Sequence, residues 1–463
     1  MKKKTKGLII ALSSIMAVLL TVGVLAVLVN NHGDDYEDEI PKTATVTHHE
    51  LETVKAVGRG LYDKDGKLYT IKGVNFGGWL IQEGWMSVNS LGPALNEDGS
   101  YVSINYEGTV EEYEKVYQEE LEQALLDNPN LTKEQVDELW DVYYKSYCKE
   151  EDFVNIKNIG MNTIRLPMWY RTFMEGPDDN LVMKEDAFEL VDWFLEMAKK
   201  YDLKVILDMH GVVGGQSGHE HSGTRDRDFW TTEIYITQMC ELWKNIASHY
   251  KNERSDLADT ILAYDLVNEP AYQGHYTEKL QWDVMDRLYD SIREVDKDHV
   301  ISIEGCWHFN NLPDPKDYDW ENVLYQYHIY NWDYHNIDND TFYTYHWLTF
   351  ALNDYNVPKY IGEFTFFDQK DEWVKYLNIY DERGFGWTLW TYKTVCVGWW
   401  DSSWGIYVNK MYLKDEQLKL DVRTATYEEI YAEWSRQGTS ESYNNTGLLK
   451  EALTEYFTLE SSN

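Results

Sequence analysis

From residue 58 onward, short β-rich runs alternate with amphipathic helical stretches, and this alternation limits the possible folds more than any other feature of the chain. A strand followed by a helix, repeated, builds βα units and so a parallel sheet. Candidate strands fall at 69–76, 162–166, 204–209, 261–267, 300–304, 324–329, 359–363 and 386–390. Several are nearly unbroken apolar runs, such as 261–267, as strands covered on both faces tend to be. Candidate helices lie at 185–200, 233–250, 277–295, 341–355 and 371–383. The first carries Ala187, Leu190, Val191, Phe194 and Ala198 on one face at helical spacing. Eight strands in this order point to an α/β fold, a closed (β/α)₈ TIM barrel, with an open doubly wound sheet as the alternative on pattern alone. The 463 residues fit one such domain, since these barrels run from about 200 to over 400 residues.

Two insertions depart from the repeat. Residues 87–148 follow the first strand and are largely charged helix, and residues 394–441 follow the last. Both leave from strand C-terminal ends, where barrels build their sites, so both are expected to wall a cleft. Residues 63–67, Asp-Lys-Asp-Gly-Lys, resemble the start of a calcium loop but lack its downstream Glu. They read as a hairpin turn ahead of the first strand. No internal repeat and no Pro/Ser-rich linker divides the chain.

The N-terminus reads separately. Lys2, Lys3, Lys4 and Lys6 precede an uncharged apolar run over 8–29, about long enough to cross a bilayer as a helix. It ends without a small-residue cleavage site, which favours an uncleaved anchor over a cleaved signal peptide. The lysines would stay cytoplasmic and the rest would be exported, to the cell surface or beyond. The expected organisation is an anchor or signal at 1–33, an acidic spacer at 34–55 and a catalytic domain at 56–463.

Composition narrows the partners. Lys and Arg number 42 against 80 Asp and Glu, a net charge of −38, which repels nucleic acid and anionic lipid. The expected partner is a neutral polymer, with membrane contact through the N-terminal segment only and the chain monomeric. The 19 Trp and 36 Tyr offer flat faces with polar tips on which sugars stack. Cys148, Cys240, Cys306 and Cys396 form no C-x-x-C pair. They read as mostly free thiols, with room for one bridge.

Two acidic residues sit at strand C-terminal ends: Glu269 in Leu-Val-Asn-Glu-Pro and Glu363 in Tyr-Ile-Gly-Glu-Phe. Glycosidic cleavage needs such a pair, one holding a proton for the leaving oxygen and one attacking or activating water. Around them, residues 73–80 read Gly-Val-Asn-Phe-Gly-Gly-Trp-Leu, followed by Glu83. Residues 150–153 read Glu-Glu-Asp-Phe and 160–167 Gly-Met-Asn-Thr-Ile-Arg-Leu-Pro. Residues 208–211 read Asp-Met-His-Gly, ahead of Gly-Gln-Ser-Gly at 215–218 and Ser-Gly at 222–223. In order and spacing these strings resemble glycoside hydrolase family 5, closest to its fungal-type exo-β-1,3-glucanases, over residues 58–404.

The resemblance implies a retaining β-glucan hydrolase without cofactor or metal, probing a β-linked glucan from its end. Glu363 is then the nucleophile and Glu269 the acid, then the base. Arg165 keeps Glu363 ionised, Asn268 holds the 2-hydroxyl, and His328 and Tyr330 orient Glu269 and Glu363 respectively. His210 binds sugar hydroxyls, Trp390 forms the floor under the sugar, and Glu83 binds the terminal sugar. Glu304 reads as a supporting polar group. His219 and His221 flank Glu220 like a metal cluster, but their spacing suits a loop, and the metal reading is rejected. Two departures concern substrate: His219 stands where the fungal enzymes carry a clamping aromatic, and the Trp399, Trp400, Asp401, Trp404 region differs. An endo-β-1,4-glucanase or other β-glycan hydrolase is therefore the alternative. From another class, the alternative is a surface carbohydrate-binding protein on an inactive barrel.

Overall fold

The computed structural model describes residues 40–460 apart from 85, 88, 91–102, 105–109, 112–116, 273–277, 307, 309–310, 352–353, 395–404, 410–419 and 446. Eight parallel strands close into a barrel in chain order: β1 (Lys72–Asn75), β2 (Thr163–Trp169), β3 (Lys204–Gly211), β4 (Ile261–Asp265), β5 (Val300–Glu304), β6 (Val323–Tyr330), β7 (Lys359–Thr365) and β8 (Phe385–Leu389). Almost every residue of these strands is buried. Closure removes the sheet's edges, and helices cover its outer face. The expected helices appear at Glu189–Lys200, Glu233–Ser248, Lys279–Arg293, Asn339–Phe350 and Lys370–Glu382.

Two strands differ from expectation for physical reasons. The expected strand at 69–76 is split, because Leu68–Tyr69 pairs instead with a small antiparallel sheet of Lys55–Val57 and Gly60–Tyr62. The turn at 63–67 connects two of its strands, with Asp63 Oδ1 accepting the Asp65 and Lys67 N–H groups. The second strand runs past its expected end through Pro167 to Trp169. β1 stays paired with β2 only as far as Arg165. Beyond that point the missing N–H of Pro167 interrupts no ladder on that side.

The small sheet closes the bottom of the barrel. Val54, Leu61 and Ile71 cluster with Ile206, Leu262, Ala263, Val300, Leu324 and Tyr360 from the strands. Residues 43–55 were expected to end an acidic spacer, yet they are held to the barrel. Thr43 bridges to Lys67, and buried Asp298 accepts the N–H groups of His49, Glu50 and Leu51 at 2.7–2.9 Å and the Lys55 ammonium at 2.6 Å. A carboxylate with four donors outcompetes solvent for this segment.

In the first insertion, helices Gln118–Asp127 and Lys133–Tyr147 are described. In the second, a short strand at Tyr407–Asn409 and a helix at Tyr427–Trp434 are described. Lys393, fully buried beside Asp152, sits among Phe76, Tyr147, Tyr392 and Tyr443 and ties the C-terminal segment to the barrel. Cys148, Cys240 and Cys306 are free thiols. Among the described residues no helix is long and apolar enough to cross a membrane. The apolar run at 8–29, Cys396 and the 399–404 region lie outside the described residues.

Burial alone would raise the Asp298 carboxyl, but its backbone donors and Lys55 outweigh that and hold it well below the usual carboxylate range. Asp298→Ala is expected to lower unfolding stability by about 3 kcal/mol at pH 7. A depressed folded-state pKa gives stability above the unfolded value that is lost as the pH falls. The gap between wild type and variant should therefore be full at pH 6 and narrow from about pH 4 downward. Denaturant unfolding at a series of pH values measures it, and a gap constant to low pH would contradict this role.

Candidate active site

The upper interior of the barrel is built around one guanidinium. Arg165 is fully buried on β2. Its Nε donates to Asp265 Oδ2 on β4 at 2.9 Å, and one terminal nitrogen donates to Asn75 Oδ1 on β1 at 3.1 Å and Glu363 Oε1 on β7 at 2.8 Å. The other donates to Asn268 Oδ1 at 2.8 Å and lies 3.0 Å from Asp208 Oδ1 on β3. Five strand ends are thus tied to one cation.

Three carboxyls surround that single charge. Burial pushes Asp208 and Asp265 up to about 7 against the pull of Arg165. Burial also pushes Glu363 above the usual range, opposed by Arg165 and by Tyr330. The second oxygen of Glu363 is engaged as well, with the Tyr330 hydroxyl donating to Oε2 at 2.8 Å. Donors on both oxygens favour its ionised form.

A slip in register places Glu363. Between β6 and β7 the pairing shifts by one residue, so that Tyr327 faces Ile361 and His328 faces Glu363, leaving Gly362 as the extra residue. A β-carbon at Gly362 would lie 2.6 Å from the Gln326 side chain, and its carbonyl accepts from Asn75 Nδ2 at 2.8 Å. Any larger residue would have to displace the Gln326 side chain.

Glu269 follows β4 with φ of +40°, a left-handed conformation that costs a glutamate about 1–3 kcal/mol. Glu304 Oε2 anchors it by accepting its N–H at 2.7 Å. His328 Nδ1 lies 2.9 Å from Glu269 Oε1, and His328 Nε2 accepts from Gln326 Nε2 at 3.1 Å, which leaves the hydrogen on Nδ1. Burial drives His328 down to about 3, so the ring is neutral. On the other side, His221 Nδ1 lies 3.1 Å from Glu269 Oε2.

One oxygen each of Glu269 and Glu363 and a ring nitrogen of His328 lie within 4.8 Å of one another. Such a spacing also suits a metal ion, but here His328 Nδ1 carries hydrogen toward Glu269 and both Glu363 oxygens accept from Arg165 and Tyr330. The two carboxylates are too close for a water to stand between them and attack, an arrangement that needs about 6.5 Å or more.

The other expected residues gather here. His210 Nδ1 bonds Asp208 Oδ2 at 2.7 Å, its Nε2 lies 3.5 Å from Asn268 Nδ2, and burial holds it well below the usual histidine range. Trp390 stacks on His210 with centroids 5.4 Å apart and rings 10° from parallel. Glu83 is half-buried, and its charge acts on both Glu363 and Tyr330.

Several residues here had no role assigned from sequence. Asp208 and Asp265 were each visible as an acid inside an apolar parallel strand, a placement that requires a buried partner. Gln216 joins the third-strand loop to the site by donating to the carbonyls of His210 and Asn268 at 2.7 and 3.0 Å. His221 was set aside with its loop. Trp332, 57% exposed, stacks against Tyr330 at 5.1 Å and continues the aromatic surface outward.

A family model described as Cellulase (glycosyl hydrolase family 5) matches residues 124–394. The chain is 26% identical over 283 residues to a protein named Beta-xylosidase from Phanerodontia chrysosporium, covering 60% of this chain and 52% of that one. It is 30% identical over 264 residues to Glucan 1,3-beta-glucosidase 2 from Wickerhamomyces anomalus, covering 56% of each. The chain thus spans about half the length of the curated relatives it matches. Among solved structures, rutinosidase from Aspergillus niger aligns with a TM-score of 0.52 at 16% identity, over 78% of this chain and 97% of that one. At that identity the likeness concerns the fold.

Proposed function

The chain belongs to glycosyl hydrolase family 5, and from that premise we propose that it is a retaining β-glucan hydrolase acting from the chain end on β-1,3-glucan. The observation that carries the reading is the short spacing of Glu269 and Glu363, each with its own donors. Glu363, ionised between Arg165 and Tyr330, attacks the anomeric carbon, while Glu269 protonates the leaving oxygen. A covalent glycosyl-enzyme forms. Glu269, now a carboxylate, takes a proton from water, and that water releases the sugar with its configuration retained. Esterifying Glu363 removes a negative charge from beside Glu269, so the same group serves as acid first and base second.

The choice of β-1,3-glucan is supported by the relatives named glucan 1,3-beta-glucosidase. End-on action is supported by Glu83, an acceptor for terminal hydroxyls beside the nucleophile. The relative named Beta-xylosidase favours a second reading, a hydrolase of another β-glycan with the same machinery. Laminari-oligosaccharides should lose single glucose units from the non-reducing end, followed by product chromatography at early times. A ladder of mid-sized products, or turnover confined to xylan or β-1,4 oligomers, would sink the exo-β-1,3 assignment.

We also propose that the barrel, from about residue 43, works outside the cytoplasm on the N-terminal apolar run as an uncleaved anchor. The supporting features are its four flanking lysines and the lack of a cleavage site. The full chain should fractionate with membranes and expose its barrel to external protease; a soluble mature form starting near residue 30 would refute the anchor.

A further inference from the structure

The loop after β3 brings a second imidazole to Glu269, and the hydrogen-bond chain behind it has a direction. The His219 N–H donates to Ser217 Oγ at 3.2 Å, and Ser217 Oγ lies 2.8 Å from His221 Nε2. The carboxylate facing Nδ1 can only accept, which favours the ring hydrogen on Nδ1, and Ser217 Oγ can then donate to Nε2. That nitrogen is the one 3.1 Å from Glu269 Oε2. The loop is fixed well enough to aim it. Ser217 is fully buried, Ser222 Oγ lies 2.7 and 2.9 Å from the carbonyls of His219 and Thr224, and Tyr117 donates to the Gly218 carbonyl.

Both oxygens of Glu269 therefore face an imidazole. Oε1 faces His328 Nδ1–H, whose tautomer Gln326 fixes, and Gln326 is itself fixed by donating to Glu304 Oε2 at 3.1 Å. Oε2 faces His221 Nδ1 at 3.1 Å, so each oxygen has its own imidazole.

Resting on the acid/base reading of Glu269, we propose that His221 is a positioning residue: its Nδ1–H, oriented by Ser217, holds Oε2 and stabilises the carboxylate that forms when Glu269 surrenders its proton. The glycosidic C–O bond breaks as that proton passes to the leaving oxygen, and the His221 bond strengthens as Oε2 becomes anionic. His221 thereby makes Glu269 a stronger acid. The titratable groups facing this pair are His328, Glu304 and Glu363 around Glu269, and His219 and His210 around His221, with ring centroids 5.6 and 6.1 Å away.

The test uses the full chain and aryl β-D-glucosides. His221→Leu should lower kcat/KM by about 30-fold for a phenyl leaving group, part of the 10²–10⁴ that general acid catalysis supplies. For a 2,4-dinitrophenyl leaving group, which needs little protonation, the loss should stay under about threefold. The alkaline limb of kcat/KM should move to higher pH, because Glu269 loses a donor to its charged form. His221→Asn, whose amide N–H reaches the same oxygen, should recover most of the phenyl-substrate activity, and Ser217→Ala should show a weaker version of the same split. Equal losses on both substrates with an unmoved alkaline limb, or no loss at all, would overturn the proposal. Glu269→Gln run alongside separates the two levels. If it shows the leaving-group split and His221→Leu does not, only this inference falls; if Glu269→Gln shows no split, the acid/base reading falls and the inference with it.

Discussion

The interaction on which the site depends is the burial of Arg165 among Asp208, Asp265 and Glu363. A guanidinium taken wholly out of water is costly unless its donors are matched, and here Asn75, Asn268 and the three carboxyls match them from β1, β3, β4, β7 and the turn after β4. Each strand end is then fixed by the same cation. Burial pushes Asp208 and Asp265 up to about 7 and Glu363 above the usual carboxylate range, and Arg165 opposes all three. Glu363 also has Tyr330 on its other side. The geometry that stabilises the barrel top is thus the geometry that holds Glu363, the nucleophile of the proposed mechanism.

Glu269 lives in a different field. His328 and His221 face its two oxygens, and burial keeps His328 neutral. Neutral donors orient the carboxyl without forcing it to ionise, which is the requirement for a group that gives a proton and later takes one back. The left-handed backbone at Glu269, tied down by Glu304, aims the side chain across the barrel toward Glu363. Two glutamates at the ends of two strands become chemically distinct through their neighbours alone.

The barrel was legible in the sequence because parallel strands buried on both faces are apolar runs, and Val300–Glu304 is found at the bounds the pattern gives. Pro167 misled because a proline normally stops a strand, and only tertiary context shows that β2 has lost its β1 neighbour there. The stretch at 43–55 misled because its polarity hid a set of backbone donors to Asp298, about 250 residues away. Glu269, Glu363, His328 and Tyr330 were legible through short strings at strand ends. The Arg165 partners and His221 were not, since each depends on a contact between distant segments, and His-Glu-His reads locally as a loop or a metal cluster.

The central claim is the division of labour between the two glutamates, and azide tests it most directly. With Glu269→Gln and a glucoside bearing a good leaving group, Glu363 still forms the glycosyl-enzyme, and azide, which needs no base, should release β-glucosyl azide. With Glu363→Gln the same anion should attack the substrate directly and give the α-product. The anomeric signals of the azide products distinguish the two, and α-azide from Glu269→Gln with β-azide from Glu363→Gln would show that the roles are reversed.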